Sequence, residues 1–289
     1  MTKNAKGTLI PIGGNEDKGE GKNESNTLEF IQEGILAQIV NESGGPNGLF
    51  VIIPTASSIP VEVGQNYIDA FNKLGCENVV VMDIRKKEHS EKIEYLELAR
   101  SANCIMFSGG DQSKITQKIG GTTLHSILMN RYQNEPGFVL AGTSAGAMAM
   151  SREMIAGGNP ADSFTKGAVK MSKGLGLTPG IMFDTHFIQR GRFGRITQAV
   201  AKHPHILGIG LAENTGVIIK DRHILRVIGT GMVIVFDGSD LHHNTEAILP
   251  IGTPMTITNL KVQVLANSDT YDLRTKEVHV LPIDAPFDY

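Results

Sequence analysis

Apolar positions along the chain fall into short unbroken runs, separated by longer stretches whose apolar residues recur at helical spacing. The runs lie at residues 7–14, 49–54, 78–83, 104–107 and 138–142, and each is apolar on both alternating faces. A strand with no polar face is one covered on both sides, as in a parallel sheet. Between the runs, residues 27–41 place Leu28, Ile31, Ile35, Leu36 and Ile39 on one helical face. Further helices are predicted over 60–74, with Pro60 at a first helical position, and over 91–101, 113–118 and 122–132. Strands alternating with amphipathic helices predict an α/β fold, a parallel sheet with helices on both faces.

Beyond Met150 the pattern changes. Residues 151–180 are rich in Gly, Pro, Ser and Lys and read as a long loop, a length that suits a lid or binding loop. A strand follows at 181–184, a polar helix near 190–202 and an apolar strand at 207–211. Short β segments are then expected at 216–220, 223–229, 232–237, 261–265, 270–273 and 277–281. They read as an antiparallel C-terminal β extension of the same sheet. No linker or internal repeat divides residues 1–289, so one domain is expected.

Chemistry concentrates where the fifth run ends. Gly142-Thr143-Ser144-Ala145-Gly146 joins an apolar strand to a small-residue helical stretch. That is the sequence form of a nucleophile elbow, a tight turn that holds a serine hydroxyl clear of the backbone. Glycines flank the serine because side chains there would collide. A glycine-rich loop could carry the same string, so partner residues must decide. A serine nucleophile needs a base, and the base an orienting carboxylate. His186 directly follows the 181–184 strand, which places it at the sheet edge where Ser144 stands. Glu213 ends the 207–211 strand and is the best carboxylate. The Gly109-Gly110 turn after the fourth run lets backbone approach a substrate, so the Gly110 and Ala145 N–H groups are candidate oxyanion donors.

Arg190, Arg192 and Arg195 follow His186 closely. Charge runs are usually solvated helix faces, but three guanidinium groups beside a catalytic serine would attract carboxylates. Asp184 and Gln112 stand at neighbouring turns and would add polar contacts. His203, His205, His242 and His243 lack the partner set of a zinc site, and no dinucleotide or P-loop fingerprint is present, so no metal or organic cofactor is expected.

Composition narrows the partners rather than the reaction. Lys and Arg number 27 against 30 Asp and Glu, a net −3, which points to neither nucleic acid nor an anionic membrane. No apolar run reaches the ~18 residues of a membrane span, and no apolar segment follows residues 1–7 as in a secretory signal. Cys76 and Cys104 have no metal-type spacing, and Cys104 lies in an apolar strand where a buried free thiol is expected. A cytoplasmic protein is the expectation.

Taken in order, Gly13-Gly14, Gly109-Gly110-Asp111-Gln112, Gly142 to Ala147, Asp184-Thr185-His186-Phe187, Arg190 to Arg195 and Ala212 to Thr215 closely resemble the cyanophycinases, within the peptidase E-like serine peptidases. The resemblance runs from about residue 7 to the strands near 240. It implies a flavodoxin-like fold related to class I glutamine amidotransferases, with serine in place of their cysteine. It implies Ser144 as nucleophile, His186 as base and Glu213 as the residue orienting it. It implies a substrate, cyanophycin, that is a polyaspartate backbone with arginine on each β-carboxyl, cut to β-Asp-Arg dipeptides. It also implies a homodimer, and a substrate pocket built from Gln112, Asp184, Thr185, Arg190, Arg192 and Arg195. In that pocket the arginines would hold the Asp-derived terminal carboxylate of the product unit, and Asp184 or other acids would meet the substrate guanidinium. Relatives commonly carry Gln where this chain has Thr185, which leaves that contact open. Short aspartyl dipeptides are the alternative substrates, and a non-catalytic binding protein on the same fold is the alternative from another class.

Overall fold

A computed structural model of the protein describes residues 4–20, 28–159 and 162–280. The five apolar runs form β1 (Thr8–Ile12), β2 (Phe50–Ile53), β3 (Val79–Val81), β4 (Cys104–Phe107) and β5 (Val139–Thr143). They pair in parallel in the order β1-β5-β4-β2-β3. The helices between them are α1 (Ile35–Glu42), α2 (Pro60–Lys73), α3 (Ile93–Ser101), α4 (Gln112–Ile119), α5 (Thr123–Asn134) and the short α6 (Ala145–Met150).

Alternation along these strands divides the core. Ile10, Ile12, Phe50, Ile52, Cys104 and Met106 face α1 and α2, packing with Ile35, Ile39 and Phe71. Their neighbours Leu9, Val51, Ile53, Ile105, Phe107 and Leu140 face the opposite way, against α3 to α6. Continuous apolar runs are therefore what a sheet covered on both faces requires. Cys76 and Cys104 are free and buried, and burial pushes their thiols up to about 11 and about 12 respectively.

After α6 come β6 (Glu153–Gly158), β7 (Val169–Lys173), β8 (Ile181–Asp184), α7 (Phe193–Lys202) and β9 (Leu207–Leu211). The chain then forms β10 (Thr215–Lys220), β11 (Ile224–Gly229), β12 (Val233–Asp237), β13 (Lys261–Leu265), β14 (Thr270–Asp272) and β15 (Val278–His279). Three expectations are corrected here. The 151–180 segment is no plain loop, because β6 and β7 pair as an antiparallel ribbon. The later strands do not extend one sheet. β10, β11, β14 and β15 add antiparallel strands beyond β1, giving the nine-stranded order β15-β14-β11-β10-β1-β5-β4-β2-β3, whereas β12 and β13 join β9 and β8 in a separate sheet. That second sheet packs its apolar side into the same core as α3 to α6, through Phe183, Ile209 and Val235. Finally, the first helix begins only at Ile35, after turns through 29–34 that end at Gly34, where a Cβ would lie 2.6 Å from the Phe30 carbonyl oxygen. The expected start of that helix at 27 and the end of the last strand at 281 lie outside the described residues.

Candidate active site

Ser144 stands between β5 and α6 with φ 51° and ψ −111°, a left-handed conformation uncommon for a residue with a side chain. The flanking glycines explain how the turn closes. A Cβ on Gly142 would lie 2.7 Å from the Gly146 carbonyl carbon, and one on Gly146 would lie 2.5 Å from the Phe107 carbonyl oxygen. The chain thus makes the tight, strained strand-to-helix turn that the sequence predicts.

His186 belongs to the second sheet, at the end of β8, so it does not share a sheet edge with Ser144 as expected. The two meet because residues 12–14, leaving β1, hold both by backbone hydrogen bonds. The Ile12 carbonyl accepts the Ser144 N–H at 2.9 Å, the Gly13 carbonyl the His186 N–H at 2.8 Å, and the Gly14 carbonyl the Asn214 N–H at 2.8 Å. Only glycine fits this junction. A Cβ on Gly13 would be 1.8 Å from the Ala212 carbonyl oxygen, and one on Gly14, at φ +105°, would be 2.4 Å from Cε1 of His186. Three consecutive carbonyls thus fix the relative positions of Ser144, His186 and the residue after Glu213.

The side chains complete a relay. Ser144 Oγ is 2.9 Å from His186 Nε2, and His186 Nδ1 is 2.6 Å from Glu213 Oε1. A carboxylate only accepts, so Nδ1 carries the ring proton and Nε2 is left to accept from the serine hydroxyl. Burial lowers the His186 pKa from its usual value, and the positive charges of Arg190 and Arg192 lower it further, outweighing the opposing pull of Glu213. At neutral pH the imidazole is therefore a free base. Burial raises the Glu213 carboxyl, but hydrogen bonds from His186 and Asn15 and the nearby positive charges outweigh it and keep the group ionised.

Gly109 lies against the serine, where a Cβ would be 3.4 Å from Ser144 Cβ. Gly110 follows at φ +136°, and a Cβ there would be 2.2 Å from the Ala56 carbonyl oxygen. Among the described residues, neither the Gly110 nor the Ala145 N–H is spent on a backbone carbonyl. Two cavities meet at Ser144. One, of about 540 Å³, is lined by His186, Gly14, Lys18, Tyr67 and Gly109 among others. The other, of about 390 Å³, is lined by Ala145, Gln112, Thr185, Arg190, Arg192 and Arg195 among others.

The arginines differ in their settings. Arg195 is buried, and its guanidinium forks onto Asp184, with Nε 2.8 Å from Oδ2 and Nη2 on Oδ1. Arg192 Nη1 donates to Asp184 Oδ1 at 3.2 Å and to the Thr185 carbonyl at 2.7 Å. Burial, with Arg195 and Arg190 close by, brings the Arg192 pKa down to about 10, so it stays charged at neutral pH. Arg190 is exposed and reaches both cavities. The expectation that Asp184 faces a substrate guanidinium is corrected, since the residue is 0% exposed and its carboxylate is taken up by two arginines and the Thr185 N–H. Gln112 Nε2 donates to the Ile155 carbonyl at 2.9 Å, tying α4 to β6. The Thr185 hydroxyl and Arg192 Nε are buried at the cavity wall with no hydrogen-bond partner among the described residues.

Sequence reasoning missed Glu16. Its carboxylate is 4% exposed and accepts from Thr143 Oγ1 at 2.5 Å, from the Tyr67 hydroxyl, and from Lys18 Nζ at 2.9 Å. It therefore buttresses Thr143, the residue before Ser144. Burial raises its pKa, but Lys18 and the two hydroxyl donors outweigh that and hold it below the usual carboxylate range. The signal for it was weak, because Glu16 lies in the polar segment from Asn15 to Asn26 that reads as a loop.

Among the described residues no cluster of three or more His, Cys, Asp or Glu is arranged to hold a metal ion, and no helix is long and apolar enough to cross a membrane. The chain is 34% identical to the cyanophycinase of Trichormus variabilis over 273 residues, 94% of this chain and 88% of that protein. It is 31% identical to the cyanophycinase of Geminocystis herdmanii over 277 residues, covering 96% and 97% respectively. The crystal structure of a peptidase from an acI-B1 actinobacterium superposes with a TM-score of 0.66 at 20% identity, covering 94% of this chain and 98% of that one, a likeness of fold. Residues 18–227 match the model of peptidase family S51, and the chain belongs to that family.

Proposed function

We propose that the protein is a serine-type peptidase that cuts cyanophycin to β-Asp-Arg dipeptides through an acyl-enzyme. The observation that carries this reading is the unbroken contact chain from Ser144 Oγ through His186 to Glu213, set on a strained elbow. His186 Nε2 removes the serine proton as Oγ attacks the scissile carbonyl carbon. The carbonyl oxygen becomes an oxyanion that accepts hydrogen bonds from the Gly110 and Ala145 N–H groups. The C–N bond then breaks as the imidazolium returns its proton to the leaving nitrogen. A water molecule, deprotonated by the same imidazole, hydrolyses the serine ester, and the serine proton is restored. Glu213 keeps the ring in the tautomer that both steps need.

Substrate identity rests on the named relatives and on the charge of the smaller cavity. Each cyanophycin unit carries the free α-carboxylate of its arginine, and the Arg190 and Arg192 guanidinium groups with the Thr185 hydroxyl are donors suited to a carboxylate. Asp184 acts behind them, holding Arg192 and Arg195 in place. By family resemblance the working unit is a cytoplasmic homodimer, which light scattering checks for its assembly state. The test of the reaction is incubation with purified cyanophycin and mass analysis for β-Asp-Arg. The wild-type protein should release the dipeptide and a folded Ser144→Ala variant should not. Release by that variant at the wild-type rate would overturn the mechanism, and turnover of short aspartyl dipeptides in place of the polymer would overturn the substrate.

A further inference from the structure

The two cavities that meet at Ser144 correspond to the two ends of the scissile bond. Of the two proposed oxyanion donors, Ala145 lines only the smaller, arginine-bearing cavity and Gly110 lines both, so the oxyanion sits at their junction. The leaving nitrogen must receive its proton from His186, and His186 lines only the larger one. The acyl part of the substrate therefore extends towards the arginines, and the leaving part into the 540 Å³ cavity.

Lys18 is the preorganised group in that larger cavity. Its ammonium is 5.0 Å from the Tyr67 ring centroid. It donates to Glu16 Oε1 at 2.9 Å and to the Glu16 carbonyl at 3.3 Å. Glu16 is itself buried and braced by Thr143 and by Tyr67 from α2. An ammonium has three N–H donors; two hydrogen bonds go to Glu16, and the third donor has no hydrogen-bond acceptor among the described residues. A partly buried lysine whose position is set by a carboxylate and an aromatic ring has lost most of its rotamer freedom before any ligand arrives, which lowers the cost of binding an anion. Asp17 and Glu20 line the same cavity, so it offers both signs of charge. A leaving unit of the proposed polymer carries both signs too, one arginine α-carboxylate and one guanidinium.

We infer that the larger cavity is the leaving-group subsite and that Lys18 is its anchor for the α-carboxylate of the arginine on the leaving unit. The inference rests on the proposed function, and the assignment of sides follows from which cavity His186 lines.

The test uses two synthetic two-unit substrates, one with a free carboxylate on the arginine of the leaving unit and one with that carboxylate amidated. The wild-type enzyme should prefer the acid by about tenfold or more in kcat/KM, the scale of a charge-assisted hydrogen bond. Lys18→Met should bring the ratio close to one, and Lys18→Arg should keep most of it. A merely structural Lys18 would slow both substrates alike and leave the ratio intact, which would overturn the inference. So would a wild-type enzyme indifferent to amidation, whatever the variants do. If wild-type enzyme cleaves neither substrate, the proposed function fails instead. The same acid-to-amide comparison by calorimetry on Ser144→Ala then decides whether Lys18 binds the carboxylate.

Discussion

On one side of Ser144, His186 and Glu213 are placed by backbone. The carbonyls of Ile12, Gly13 and Gly14 hold Ser144, His186 and Asn214 in turn, at 2.8 to 2.9 Å. On the other side, Arg192 and Arg195 are placed by one buried carboxylate, that of Asp184. The backbone junction tolerates no side chain at Gly13 or Gly14, so it is sensitive to volume. The arginine pocket is a buried ionic cluster, so it is sensitive to charge. A hydrolase that must keep three groups in register while accepting a charged substrate benefits from separating the two, because changes in pocket charge then leave the relay geometry alone.

Charge is where the largest effect is expected. Asp184→Asn keeps the shape but leaves two buried guanidinium groups without their counter-ion, and should cost about 3–5 kcal/mol of stability. Denaturant unfolding checks this, and a loss within 0.5 kcal/mol of a surface substitution (~0.5 being the usual scale there) would show that the cluster is solvated. Volume is tested by Gly14→Ala. Its Cβ would press on the imidazole, and a displacement near 1 Å should lower kcat by about 10²-fold with far-UV circular dichroism unchanged. An undiminished kcat would mean that His186 is not fixed by the junction. The smallest effect joins the two sides. Arg190 lowers the His186 pKa from across the site. In the proposed mechanism the active imidazole is the neutral form, so the acid limb of kcat/KM should fall below the usual histidine value of about 6.5. Removing a positive neighbour stabilises the imidazolium, so Arg190→Gln should move that limb to higher pH. A limb that stays put would separate the two sides electrostatically as well as structurally.

The same contrast explains what could be read from the chain. The strained turn was legible because it needs glycine at 142 and 146, and the approach of His186 and Glu213 to it was legible because each follows an apolar strand. The parallel half of the sheet was legible because its strands are apolar on both faces. β8 and β9 are equally apolar, and nothing in that pattern says that they belong to another sheet. β6 and β7 were hidden by their Gly, Ser and Lys content, since β7 buries only Val169 fully. Asp184 and Glu16 were misread or missed for one reason. A carboxylate's polarity signals solvent or substrate, and only three-dimensional neighbours reveal that it is buried among cations and hydroxyl donors.

The central claim is that Ser144 is a nucleophile activated by His186. It is tested most directly by reaction with a serine-directed phosphonate, followed by peptide mapping. The account predicts a single adduct, on Ser144, formed far more slowly in a folded His186→Ala variant. Absence of an adduct, an adduct on another serine, or labelling of His186→Ala at the wild-type rate would contradict it.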